Sequence, residues 1–245
     1  MDNFSYTDLA SELIRTEGRD FGGVCKVSEI ELDSESAAKY GKEPGLYVTL
    51  ETDAIAGAEH MHKRRLTIAL ERELKKLVRD KSRVLVVGLG NRSMTADALG
   101  AEVCDRIAVE KDNLKALSPG VAGITGMESF DVVKGVTDRI APSVVIAVDS
   151  LAAAQTGRVC RIIQLCNAGI TPGSGVSNHR ERLSEDTLGV PVVSIGVPLV
   201  VYASTIIRDA GGDPSGFENL IVTPKDVDFL VREAAEIIAG AVNRL

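Results

Sequence analysis

The residues best placed for chemistry are two aspartates. Asp97 lies in "VVGLGNRSMTADALG" (86–100), just beyond an apolar run, and Asp149 closes "PSVVIAVD" (142–149). Two carboxylates held close in a partly dry cleft cannot both be charged cheaply. One keeps its proton, and the pair becomes one acid and one base. Such a pair suits attack of water on an amide: the ionised member takes the water's proton while its neighbour donates to the carbonyl oxygen. A plainer reading makes Asp97 an early-helix residue and Asp149 a helix N-cap, both favoured on dipole grounds. Residue types and spacing leave both readings open.

The loop that carries Asp97 has a second possible use. Gly88 and Gly90 match the first two glycines of a G-x-G-x-x-G dinucleotide loop, but Ser93 stands where the third, which permits close helix–strand packing, is needed. Glu110 follows Gly90 by 20 residues, about where an acidic group meets a ribose. A dinucleotide-dependent oxidoreductase using Gly88, Gly90 and Glu110 is therefore an alternative. Against it, "NRSMTADALG" delays the helix beyond the usual tight turn, and the glycines can serve simply to let the chain leave a strand sharply. The other glycine-rich loop, "NAGITPGSGVSNHR" (167–180), lacks the Lys-Ser/Thr of a Walker motif. Its backbone N–H groups remain suited to an anion or a substrate carbonyl.

No metal or other cofactor is expected. His60 and His62 are two apart, on different faces of a helix, and His179 follows the glycine-rich loop as a substrate-contacting candidate. Cys25, Cys104, Cys160 and Cys166 have no C-x-x-C spacing and sit in or near apolar runs, as buried reduced thiols do.

The elements that must position these groups alternate. "GLYVTLETD" (45–53) reads as a strand, and apolar positions Leu66, Ala69, Leu70, Leu74, Leu77 and Val78 fall at helical spacing between Glu59 and Asp80. "RVLVVGLG" is a continuous apolar run, typical of a strand buried on both faces. A helix from about Asp97 to Cys104 leads to "RIAVE" (106–110), then a loop, a helix over "MESFDVVKGVTDRI" and a strand over "PSVVIAVD". "RVCRIIQLC" (158–166) and "VPVVSIGVP" (190–198) add strands, and a last helix opens at Thr223-Pro224. Such alternation implies right-handed crossovers in an open parallel or mixed sheet, with ligands beyond the carboxyl ends of its strands. With no repeat or linker, the 245 residues read as a single domain.

Bulk properties narrow the partners. The formal net charge of −7 disfavours nucleic acid and anionic membranes, and Lys63-Arg64-Arg65 reads as a solvated helix face. "MDNFSYTDLASELIR" has acidic residues and no apolar core, unlike a secretory signal, and no apolar run reaches membrane-spanning length. A cytoplasmic setting is expected.

Four blocks carry a resemblance. "VVGLGNRSMTADALG", "LSPGVAGITGMES", "VVIAVDSLAA" and "GITPGSGVSNHRERLSEDTLGVPVVSIGVPLVV" together resemble the spore germination protease family, from Val84 to about Ile207. The resemblance implies a three-layer α/β sandwich with a mostly parallel or mixed central sheet, related to the hydrogenase maturation proteases. It also implies an atypical aspartic endopeptidase that degrades small acid-soluble spore proteins inside the spore or forespore. The family's essential aspartates match Asp97 in "TADALG" and Asp149 in "VDSLA". Loops 88–95 and 169–178 then shape the cleft, with Gly88, Gly90, Asn91, Gly173, Ser174, Gly175 and His179 against the substrate.

"YTDLASE" (6–12) is similar to the site where the family's precursor cuts itself. That places autoprocessing between Asp8 and Leu9, with residues 1–8 as a short propeptide. Family members assemble as homo-oligomers, up to tetramers. The chain departs from the family pattern in a trimmed N-terminal region and a reduced segment between Cys104 and Pro119. Arg92 replaces a common tryptophan, Asn167 an aspartate in a "DTGI"-type turn, and Tyr202 an aspartate in "VVDA". A relative that binds peptides without cutting them is a third reading.

Overall fold

The structure, a computed structural model, describes residues 6–57, 59–173 and 181–245. The N-terminal part contributes β1 (Arg19–Asp20), β2 (Lys26–Leu32), α1 (Ser34–Tyr40) and β3 (Gly45–Glu51). The long helix α2 (His60–Leu77) leads into β4 (Val84–Gly88), α3 (Leu99–Cys104) and β5 (Leu114–Leu117). Then come α4 (Ala122–Thr125), α5 (Ser129–Ile140), β6 (Val144–Ala153), β7 (Ile162–Cys166) and α6 (Glu185–Leu188). The chain closes with β8 (Val192–Tyr202), α7 (Ala203–Asp209), β9 (Ile221–Val222) and α8 (Val227–Val242).

Among the described residues, nine strands join one mixed sheet in the order β1-β2-β3-β7-β8-β6-β4-β5, with β9 on β8. The parallel part is β8-β6-β4-β5, and the remaining pairings are antiparallel. Strand alternation divides the apolar residues between two helical layers. Val84 and Val86 of β4 and Ile146 and Val148 of β6 pack with Leu66 and Leu70 of α2, Leu99 of α3 and Ile238 of α8. Leu85 and Val87, with Val145 and Ala147, face the other way against Val133 of α5 and Leu188 of α6. Burial on both faces is why these strands read as uninterrupted apolar runs. Among the described residues, no helix is long and apolar enough to cross a membrane.

Three boundaries differ from expectation. "RIAVE" is a turn rather than a strand; the strand comes later, at Leu114–Leu117. Asn243, at the end of α8, holds that turn by accepting from the Ala108 N–H at 2.8 Å and donating to the Arg106 carbonyl at 2.9 Å. The last helix starts at Val227, because the Thr223 hydroxyl donates to the Leu199 carbonyl of β8 instead of capping a helix. Lastly, β6 does not stop at Asp149. It continues to Ala153 alongside β8, with a register shift at Leu151/Ala152.

Candidate active site

The chain leaves β4 at Gly88, and the Leu89 N–H still bonds the Val148 carbonyl of β6 at 2.8 Å. Gly90 then adopts φ +97°, in the left-handed region. A Cβ there would lie 2.1 Å from the Asp97 carbonyl oxygen and 2.9 Å from its Oδ1. Asp97 itself ends a short 3-10 turn (Thr95–Asp97), and its Oδ2 accepts from the Asn91 N–H at 2.7 Å. The loop is therefore wrapped around a carboxylate of its own chain.

Asp149 follows from strand alternation. It points to the same face as Val145 and Ala147 before it and Leu151 and Ala153 after it. Those two pairs belong to separate apolar clusters, and Asp149 stands between them, 6% exposed, accepting from the Ser150 N–H at 2.9 Å. It is a mid-strand residue, not a helix cap. Its position at a carboxyl end is relative: the neighbouring β4 stops at Gly88, opposite Val148, so that edge of β6 has no β4 partner from Asp149 onward.

Both aspartates line one cleft of about 730 Å³, together with Gly90, Asn91, Met94, Gly173, Tyr202 and Asp8. A second hollow of about 430 Å³ shares Asp8, Asp149 and Leu151 with it and adds Lys42, Gln164 and Gly196. Gly88 does not line the cleft; it is buried with its α-carbon against Gly100 of α3. Ser174, Gly175 and His179 lie outside the described residues.

The N-terminal segment occupies the junction of the two hollows. Thr7, Leu9 and Ala10 are buried, with Leu9 packed against Leu151, Ala153 and Ile162. Asp8 pairs with Ala152 through both backbone and side chain, at 3.0 and 2.8 Å, and Tyr6 meets the Tyr202 ring edge-on at 5.6 Å. Burial pushes the Tyr202 hydroxyl above its ordinary pKa, and the Asp8 charge adds to the shift. Lys42 donates to the Thr7 carbonyl at 2.6 Å; burial lowers its pKa, with Asp8 acting in the opposite direction.

The germination protease family model (Peptidase_A25) matches residues 8–212. The chain belongs to the germination protease family. Among relatives, the germination protease of Caldanaerobacter subterraneus subsp. tengcongensis is 35% identical over 94% of this chain and 86% of its own length. That of Clostridium tetani is 35% identical over 90% of this chain and 84% of its own. A solved structure, the NiFe hydrogenase maturation protease HycI from Thermococcus kodakarensis KOD1, overlaps 71% of this chain and 99% of that one at 21% identity and TM-score 0.45.

The chain is thus a peptidase of the germination protease family, and the family match reaches further back than the Val84–Ile207 span that the motifs alone indicate, taking in β1, β2 and β3. The rest of the site is ill suited to a nucleotide. The Asn91 N–H, which a phosphate would need, is engaged by Asp97. Glu110 sits in an exposed turn before β5, which runs parallel to β4, so it lies at the opposite end of the sheet from Gly90. Asn167 accepts from the Leu46 N–H at 2.7 Å and anchors the start of β3. Arg92 pairs with Asp105 on the surface. His60 and His62 are exposed at the start of α2, and among the described residues no three His, Cys, Asp or Glu side chains converge on a metal position.

Sequence reasoning missed Gln164 and Lys42 as parts of this site, and singled out Tyr202 only as a departure from the family pattern. Gln164 did leave a signal: it is the one polar residue in the apolar run "IIQLC".

The cysteines are buried and free. Burial pushes Cys25, Cys104 and Cys166 up to about 11 and Cys160 to about 12. A thiol this far above neutral pH is a poor nucleophile. A disulfide-exchange dye at pH 8 should therefore label fewer than about one thiol per native chain, and all four after denaturation. Rapid labelling of a native cysteine with loss of activity would point to a thiol peptidase.

Proposed function

We propose that this peptidase degrades small acid-soluble spore proteins inside the spore or forespore, with Asp97 and Asp149 as its acid–base pair. The carrying observation is that both carboxylates, Asp97 from the turn after β4 and Asp149 from β6, line the same cleft. One is half-buried and the other 6% exposed, and the mechanism requires that the pair hold one proton between them. Water adds to the carbonyl carbon as its proton passes to the ionised carboxylate, and the protonated partner donates to the carbonyl oxygen. As the tetrahedral intermediate collapses, the carboxyl that took the water's proton passes it to the nitrogen, and the amine is released. Gly90 and Asn91 hold Asp97 and, with Gly173, form the walls of the cleft. Gly88 serves this arrangement from behind; Ser174, Gly175 and His179 complete the proposed substrate contacts.

Asp8 borders the cleft, which supports the Asp8–Leu9 bond as a self-cleavage site releasing residues 1–8. The proposed assembly is a homo-oligomer, up to a tetramer. Exposed Phe217, Leu220, Ile221 and Val222, around β9, supply apolar surface for such an interface.

Incubation with a purified acid-soluble spore protein, read by mass spectrometry, tests the reading. Cuts are expected between an acidic residue and a following apolar one, as in "YTDLASE". An intact substrate that nevertheless binds would establish the non-catalytic alternative instead.

A further inference from the structure

The sheet register puts a third polar group into the site. In Cα pairing, Asp149 of β6 faces Gly196 of β8, and Gly196 in turn faces Gln164 of β7. Paired residues point to the same face, and neighbouring strands lie about 4.8 Å apart. Asp149 and Gln164 therefore flank a residue with no side chain, about 10 Å from each other across the sheet. Gln164 is 7% exposed. A carboxamide this buried is kept only where its hydrogen bonds are satisfied.

Both of its hydrogen bonds go to one stretch of backbone. Nε2 donates to the Asp8 carbonyl at 3.1 Å, and Oε1 accepts from the Ala10 N–H at 2.8 Å. The amide thus spans Leu9, holding the carbonyl of the Asp8–Leu9 peptide and the N–H of the peptide that follows it. The segment is extended at Leu9, a 3-10 turn follows at Ala10–Glu12, and partners distant in sequence hold it. Leu9 fills the apolar hollow of Leu151, Ala153 and Ile162; Arg158 donates to the Ser11 hydroxyl at 3.0 Å; and the Ala154 N–H reaches the Glu12 carboxylate at 2.8 Å.

We infer that Gln164 is the carbonyl-polarising residue of this peptidase, holding any peptide substrate as it holds residues 8–10. This assignment rests on the proposed reading of Asp8–Leu9 as a scissile bond. When water adds to the carbonyl carbon, the π pair moves onto the Asp8 oxygen, where the Nε2–H bond strengthens with the growing negative charge. The water's proton goes to the ionised aspartate, which returns it to the Leu9 nitrogen as the C–N bond breaks, so that the nitrogen leaves as an amine. Meanwhile Oε1 keeps the leaving side of the peptide in line through the amide of the next residue.

The test uses the full chain and a peptide of residues 4–14 in trans. Gln164→Glu keeps the acceptor and loses the donor; Gln164→Met loses both at similar volume. Both are expected to lower kcat about 100-fold, the scale for one lost oxyanion donor. KM should hold within about threefold, because the tethered segment and the added peptide compete for the same contacts. A wild-type kcat in Gln164→Glu, or variants that lower only thermal stability, would overturn the assignment. If the wild-type chain cuts nothing, the acid–base reading fails, and amide hydrogen exchange decides this one. In that case Gln164→Met should speed exchange at Ala10 at least ~10-fold, and unchanged protection would reject the grip.

Discussion

Asp97→Asn and Asp149→Asn are each expected to remove at least ~100-fold of peptide cleavage while the fold stays intact. The substitution is close to isosteric and takes away only the ability to exchange a proton near neutral pH. In Asp97→Asn the new amide still offers a carbonyl oxygen to the Asn91 N–H, so the loop after β4 retains the bond that shapes it. In Asp149→Asn the amide oxygen likewise still accepts from the Ser150 N–H. Burying a neutral amide in place of a carboxylate that is 6% exposed also lowers the desolvation cost, so thermal stability should change little. The measurement is kcat on a spore protein alongside a melting curve. Near-normal cleavage by both variants would remove the two aspartates from the mechanism. Loss of activity together with loss of the folded signal would not distinguish chemistry from architecture, which is why the melting curve belongs with the assay.

The largest effect on stability is expected at the glycines behind Asp97. A Cβ on Gly88 would lie 2.1 Å from the Gly100 carbonyl oxygen and 2.8 Å from the Cys104 Sγ. One on Gly100 would lie 2.4 Å from both the Leu89 nitrogen and its carbonyl oxygen. The closest clash in each case is with backbone, so no side chain can rotate out of the way, and α3 must back off from β4. Gly88→Ala or Gly100→Ala should cost about 3 kcal/mol, the upper part of the overpacking range. For a chain of this size that is roughly 6–12 °C of melting temperature. Gly135→Ala is the control: it lies inside α5 with nothing within 4 Å of the added carbon, so a gain of up to about 1 kcal/mol is expected. Gly90→Ala should combine both losses, since its Cβ would displace the Asp97 carboxylate as well as strain the turn. Equal melting temperatures for Gly88→Ala and Gly135→Ala would contradict this account of the packing.

These glycines show how a motif can be located correctly and its purpose remain open. The G-x-G turn is visible in the sequence, as is the absence of a third glycine, yet phosphate cradle and carboxylate holder begin with the same residues. The choice depends on where Asn91 donates, a bond between residues six apart whose geometry follows from packing. "RIAVE" misleads for a related reason: its alternating pattern suits a strand, but Asn243, 135 residues from Ala108, captures the backbone first. Thr223 is drawn away from its capping role by the Leu199 carbonyl of β8. In each case a distant partner takes a local hydrogen-bonding group.

Local periodicity and composition are sufficient for the α/β class, the buried parallel strands, the long helices α2 and α8, and the two aspartates beside apolar runs. Those features repeat over a few residues, and burial on one or two faces writes them directly into residue order. Strand order is different, because nothing short-range tells β7 to pair with β3 on one side and β8 on the other. Only that order sets Asp149, Gly196 and Gln164 in one row and lets a glutamine reach a backbone carbonyl 156 positions away. The aspartates belong to the sequence; the cleft between them, and the peptide segment lying in it, belong to the tertiary structure.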